Sequence, residues 1–399
     1  MQILYISALS SQKLVDDIFA RTSRNPGFAA QKFNRLVVKG FIGNGHSVIV
    51  LSNPPFSWKR DRKLVVSRTK EVEDSIRYQY IPSIGLPYLK QFCILVYTFC
   101  YVLFWKLNKR NEDNLIVCDA MCVTASLGAT FGGKLANIKT VSIVTDIYGN
   151  MVDVQTTKNR LNLLAKNAFS KGSGYFDYYV LLTEQMNEIV NPQKRPHIVM
   201  EALCSVTVGN LEVLDNQNQQ VKTVIYAGGL YVKYGLQALV EGFQMIPDSN
   251  IRLVLYGDGD YVSEIKRISE IDFRIEYRGV RPNNEVMQAE AQASLLVNPR
   301  FTNEPFSPYS FPSKNMEYML TGTPVLTTKL PGMPSEYCEY VYLFEEESAN
   351  GYAKKIAEVL NKPREELVAK GMKAKDFVQN NKNNIVQTQR IIALTKGEY

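Results

Sequence analysis

The strongest constraint in this chain is an alternation that runs, stops once and starts again. Short β-branched and aromatic runs, ILYIS (3–7), SVIVLS (47–52), NLIVC (114–118), TVSIVTD (140–146) and DYYVLLT (177–183), alternate with stretches of helical periodicity. Continuous apolar runs of this length suit strands covered on both faces, as in a parallel sheet. Between the first two, Phe33, Leu36, Val37, Gly40 and Phe41 recur along one helical face, and the segment stops at the glycines of GNGH (43–46). The pattern fails over 208–220, VGNLEVLDNQNQQ, whose Asn/Gln-rich composition is that of a linker. It resumes with TVIYAGG (223–229), IRLVLYGDG (251–259), IEYRGV (275–280), SLLVNPR (294–300), PVLTT (324–328) and VYLFE (341–345). The expected architecture is α/β: two doubly wound Rossmann-like domains, 1–207 and 221–382, with a C-terminal helix at about 383–399 packing back on the first. No short-period repeat is visible, which excludes a solenoid. Ligands of such sheets bind outside the carboxyl ends of the strands, so a cleft between two of them is the expected site.

Composition agrees and narrows the chemistry. A chain of 399 residues with 45% hydrophobic and 21% charged residues can bury two ordinary cores. The net charge of +7 favours an anionic ligand or an anionic membrane surface. Nucleic acid is not an expected partner, because the basic residues are dispersed among acids. The six cysteines form no C-x-x-C pair and there are two histidines, His46 and His197, so neither a zinc site nor a disulfide framework is expected. The opening MQILYISALS lacks the basic and long apolar regions of a signal peptide and reads as a buried strand, so a cytoplasmic protein is expected. The apolar run at 92–105, FCILVYTFCYVLFW, makes ~21 Å of helix against a ~30 Å hydrocarbon core and reads first as a buried helix. Its flanks, Lys90, Lys106, Lys109 and Arg110, with WKRDRK at 58–63, also fit peripheral attachment to anionic lipid at the inner face of a cell membrane.

The chemistry concentrates at FPSKNMEYMLTGTPVL (311–326). Ser313 and Lys314 open a helix whose apolar face carries Met316, Met319 and Leu320, and Pro312 suits its start. Free N–H groups at such a start attract anions by roughly 0.3–1 kcal/mol at an exposed site, and Lys314 adds a point charge. Glu317 follows one turn on, about 4.5 Å along the axis, where a carboxylate can accept from a ribose diol. The pair fits a nucleoside diphosphate, although a solvated Lys–Glu pair has the same spacing.

Beyond that one helix, the second half resembles the donor-binding domain of family-4 glycosyltransferases of the GT-B fold, in their capsule and exopolysaccharide branch. The resemblance is carried by YAGGLYVKYGLQALVEGF (226–243), LVLYGDGDY (253–261), IEYRGV (275–280) and NMEYMLTGTPVL (315–326). More weakly, NPGFAAQKFNRLVVKGFIGNGHSVIVLS (25–52) resembles the family's first loop–helix–strand unit. The resemblance implies an enzyme that moves a sugar from a nucleotide-sugar to a glycan or lipid-linked glycan acceptor, with retention and with neither metal nor cofactor. It places Gly228, Gly229, Lys233, Gly257, Val280, Tyr309, Ser313 and Glu317 at the donor. The departures are specific. The first glutamate of the family's Glu-x7-Glu falls on Tyr309, and its basic pair falls on Gly229 and Tyr234, one residue from Lys233. The branch pattern Pro-Arg…Phe-Pro-Ser-Lys…Glu-Tyr is present as Pro299-Arg300, Phe311 to Lys314 and Glu317-Tyr318, so Arg300 and Lys314 are the candidate replacements at the diphosphate. Arg300 can equally be a surface arginine, and Glu304 is a rival for the missing glutamate at the wrong spacing. Asp258 and Asp260 come nearest to a metal motif but fit a turn.

On the acceptor side, Asp146 ends a strand of the first half, where the family often sets a polar group, and a turn aspartate reads equally well. Asn25 and Gly27 lie in a candidate acceptor-side loop, and His197 reads as structural. Two other functions stay open: a nucleotide-sugar epimerase of the same fold, for which two histidines are few, and a catalytically degenerate sugar-nucleotide-binding protein.

Overall fold

The computed structural model describes residues 1–22, 27–53, 65–67, 69–109, 112–147, 173–206 and 221–398, and the 208–220 and 58–63 segments and Arg110 lie outside them. The chain divides into two compact units, Met1–Leu203 with Asn384–Tyr399, and Cys204–Asn383.

The first unit is built on an eight-stranded sheet. Its strands are β1 (Gln2–Ser7), β2 (Ser47–Ser52), β4 (Lys70–Glu73), β5 (Ile76–Tyr80), β7 (Asn114–Asp119), β8 (Lys139–Val144), β9 (Tyr178–Leu181) and β10 (His197–Val199), while β3 (Val65–Val66) pairs apart with β6 (Ser83–Ile84). The order is β10-β9-β8-β7-β1-β2-β5-β4, and β4 is the antiparallel edge. The sequence expectation found no strands at 70–80. Their alternation is half polar: Arg77 is exposed beside buried Ile76 and Tyr78, and Glu71 and Glu73 are turned to use, accepting from Ser11 Oγ at 2.7 Å and Arg35 Nη1 at 3.0 Å. The core gathers Tyr5, Val37, Phe41 and Val117, and the C-terminal helix Asn384–Lys396 adds Ile391 and Leu394 to it. Asn44 at the end of the Phe28–Gly43 helix fixes that helix in place by donating to Ile385 O and Thr388 Oγ1, both at 2.9 Å.

The apolar run at 92–105 needs correcting in length and in burial. The helix spans Pro87–Asn108, 22 residues, because the flanking residues continue its turns, and at ~33 Å it is long enough for a hydrocarbon core. Ile94, Thr98, Val102 and Trp105 are buried, but Tyr88, Phe92, Phe104 and Leu107 are exposed, so only one side is core. That side packs on the Val123–Leu135 helix at backbone distance: a Cβ on Gly128 would sit 2.5 Å from Leu95 O.

The second unit holds a six-stranded parallel sheet ordered β13-β12-β11-β14-β15-β16. These are β11 (Lys222–Gly229), β12 (Ile251–Asp258), β13 (Ile275–Gly279), β14 (Leu295–Asn298), β15 (Val325–Thr327) and β16 (Tyr342–Leu343). Order reverses at β11, between β12 and β14, which is the switch point where open α/β sheets bind ligands. Helices Leu236–Met245 and Ala349–Leu360 close its core over Val224, Leu253 and Leu255 with Phe243 and Ile356.

Candidate functional site

The helix Ser313–Thr321 follows that switch point, and its own side chains fix it there. Asn298 and Thr327 are register partners at the carboxyl ends of β14 and β15. Asn315, buried in the helix's first turn, receives Asn298 Nδ2 at 2.7 Å and donates to Thr327 Oγ1 at 3.2 Å. Tyr318, fully buried, puts its hydroxyl on β11, accepting from Ala227 N at 2.7 Å and donating to Ala227 O at 3.3 Å. Met316, Met319 and Leu320 fill the remaining contact, as their spacing predicts. The helix start is left without a side-chain cap, since Pro312 holds the N-cap position. Its N–H dipoles and the charge of Lys314 therefore share one place.

Lys314 and Glu317 form a part-buried ion pair at 2.7 Å, with side-chain exposures of 29% and 17%. A second carboxylate lies behind them. Glu290, in the Asn283–Ala291 helix, has no exposed surface, and its Oε1 is 3.9 Å from Lys314 Nζ. The sequence reading passed over Glu290, because a glutamate in the polar run NNEVMQAEA carries no local mark of burial. Burial, and after it the charge of Glu290, pushes the Tyr318 hydroxyl up, so Tyr318 stays a neutral donor and acceptor.

Arg300 lies two residues past Asn298, half-buried, with its guanidinium carbon 4.0 Å from the centre of the Tyr234 ring. Its Nε is buried and meets no hydrogen-bond acceptor among the described residues. Tyr234 also packs edge-on against Tyr231 and Phe306, and Lys233 Nζ stands 5.6 Å from its ring centre. The position where the resemblance expects a cation is thus an aromatic surface on which two neighbouring cations rest. Burial lifts the Tyr226 hydroxyl to about 12, against the opposing pull of Arg300.

The glycines named from the sequence are adjacent: Gly228 pairs with Gly257 across β11 and β12, and Gly229 with Asp258. Gly257 has φ +131, and a Cβ there would lie 1.8 Å from Gly228 O, so no other residue fits. Tyr309 is half-buried in the one-turn helix Ser307–Tyr309, Ser313 is exposed at the helix start, and Val280 is exposed just past β13. Asp258 and Asp260 act in the turn, accepting from Gly259 N at 2.9 Å and Val232 N at 3.0 Å. Among the described residues no group of three or more His, Cys, Asp or Glu could hold a metal ion.

Asp146 and Gly27 belong to the first unit. Asp146 lies two residues beyond β8, half-buried, its carboxylate accepting from Ile147 N at 2.6 Å while burial raises its pKa. Gly27, at φ +86, is the N-cap of the Phe28–Gly43 helix with open space where a Cβ would stand. Asn25 lies outside the described residues. One unforeseen group is Asp119, buried at the carboxyl end of β7, which accepts from Asn34 Nδ2 at 3.1 Å and Met121 N at 3.0 Å. Its signal was an acid directly after the apolar run NLIVC, a position where a parallel sheet presents groups to ligands.

Residues 221–362 match the family model described as Glycosyl transferases group 1. No curated protein matches the chain in sequence. Similar solved structures include sucrose-phosphate synthase from Thermosynechococcus elongatus, at TM-score 0.63 and 14% identity over 100% of both chains. Anabaena Alr3699/HepE, solved in complex with UDP and glucose, aligns at TM-score 0.62 and 15% identity over 100% of both chains. A UDP-forming trehalose-phosphate synthase from Burkholderia xenovorans aligns at 0.63 and 10% identity, over 99% of this chain and 98% of that one. Residues 221–362 thus carry the likeness to glycosyl transferases group 1, in a chain whose fold throughout is that of the GT-B structures it aligns with.

Proposed function

We propose that this protein transfers a sugar from a nucleoside-diphosphate sugar, UDP favoured, to a glycan acceptor, with retention of configuration and without a metal ion. The observation that carries the reading is the cation arrangement beside the uncapped helix Ser313–Thr321. Arg300 presents a buried Nε with no acceptor among the described residues, two residues from the asparagine that binds the helix's first turn. A buried guanidinium edge is costly until an anion satisfies it, and a diphosphate does so with charge-assisted hydrogen bonds. Arg300 and Lys314 then offset the charge that grows on the leaving diphosphate. Glu317 receives the ribose hydroxyls. The acceptor oxygen bonds to the anomeric carbon as the bond to the diphosphate breaks, and the acceptor proton passes to a diphosphate oxygen, so nucleoside diphosphate departs. Asp146 and the Gly27 loop are assigned to the acceptor, a growing surface polysaccharide carried on lipid at the cytoplasmic face of the membrane.

Thermal unfolding against UDP-, GDP- and dTDP-sugars, with and without EDTA, tests the donor site. One nucleotide class should raise the midpoint equally in EDTA, and Glu317→Ala should abolish the shift. A shift that EDTA removes overturns the metal-free reading, and no shift with any class removes the donor site. A shift without transfer to any lipid-linked glycan leaves a binding protein in place of an enzyme.

A further inference from the structure

We propose that the first unit docks on an anionic bilayer surface through the exposed face of the Pro87–Asn108 helix, which lies along the membrane. Tyr88, Phe92, Val96, Phe104 and Leu107 fall on one side of this helix, and Phe92 and Phe104 keep 65% and 60% of their surface exposed. No charged residue interrupts the helix between Lys90 and Lys106. The Val123–Leu135 helix packed beside it extends the same apolar character with exposed Phe131 and Leu135. An exposed apolar surface this continuous marks a docking site.

Charge selects the occupant. The charged residues of the two helices are Lys90, Lys106 and Lys134, and neither helix contains an aspartate or glutamate. A second copy of the chain would bring lysines against lysines. Anionic phosphates match them, and lysine stems can lie on the apolar face while their amines reach the headgroups.

Tyr88–Asn108 is long and apolar enough to cross a membrane by length and composition. Its packing opposes crossing. Ile94, Thr98, Val102 and Trp105 are buried in the unit, and Gly128 holds the neighbouring helix against the Leu95 carbonyl. A crossing would strip this side from its own core, whereas in-plane docking uses only the side already exposed. The inference does not rest on the transferase reading, and its readout needs no turnover.

The test is cosedimentation of the full chain with vesicles of phosphatidylcholine alone or mixed with phosphatidylglycerol. The protein should partition onto the mixed vesicles and far less onto phosphatidylcholine. Phe92→Glu with Phe104→Glu should lower partition roughly tenfold, and Lys106→Gln with Lys134→Gln should remove the preference for phosphatidylglycerol. All four side chains are at least partly exposed, so unchanged thermal midpoints should show that the variants fold. The proposal is overturned if the protein stays in the supernatant with both vesicles, or if the phenylalanine variant binds as tightly as the parent. It is equally overturned if light scattering finds the face covered in a dimer that the phenylalanine variant dissolves.

Discussion

At the scale of single residues, the site holds more charge than its motif announces. Lys314 stands between two carboxylates of different kinds, part-exposed Glu317 and fully buried Glu290. In the proposed donor site, a ribose diol engaging Glu317 would leave the lysine with Glu290 behind it, so the ammonium would stay at the helix start. Removing that rear charge should leave Lys314 held by Glu317 alone, in competition with the ligand. Glu290→Gln conserves volume and should raise the dissociation constant for UDP roughly tenfold, about 1.4 kcal/mol. Calorimetric titration at constant pH measures it, and an unchanged affinity would place Glu290 outside the site. That Ser313, Lys314 and Glu317 share one helix start was readable because their spacing is local. Glu290 was not, since burial of an acid depends on which elements cover it and the polar run around it carries no mark of that, while Asp119 showed only its place at the end of an apolar run. Tyr234 is an intermediate case: its departure from the family pattern was visible, but the guanidinium lying on it came from Arg300, distant in sequence.

At the scale of elements, the helix Ser313–Thr321 is positioned by polar groups as much as by packing. β11 pairs with β14 through Val224 and Ile225, after which the two strands part and Ala227 lacks β14 as a ladder partner. The Tyr318 hydroxyl takes that place, both accepting from and donating to Ala227. Tyr318→Phe keeps the ring but leaves a buried peptide unit unsatisfied, and should cost about 1–3 kcal/mol. Urea unfolding should show a lower midpoint with an unchanged slope, and no loss would mean that water or a backbone shift repairs the gap. Strands covered on both faces were legible here as apolar runs. The edge at 70–80 was not, because exposed Arg77 and Val72 and working Glu71 and Glu73 break both the continuous and the alternating pattern. The Pro87–Asn108 helix was misjudged in length for a related reason: helical geometry continues through PYLK and KLN, where hydrophobicity does not.

At the scale of the molecule, the first unit is made from two separated stretches of chain. The Asn384–Lys396 helix supplies Ile391, Ile392 and Leu394 to its core and carries Thr395, whose carbonyl accepts from Lys139 Nζ at 2.7 Å on β8. A chain ended at Asn383 should therefore lose the unfolding transition of the first unit and keep that of the second, as separate peaks in scanning calorimetry. Two unaltered peaks would show the helix to be dispensable. The chain leaves the first unit at Leu203 and re-enters it at Asn384, and Cys204 and Asn383 are bridged side by side where it does so. The second unit is in effect an insertion. During synthesis its residues emerge whole before the helix Asn384–Lys396 exists, so on the ribosome the order of completion is reversed: the later-encoded unit can finish first, and the earlier one waits, with part of its core uncovered, until that helix has been made.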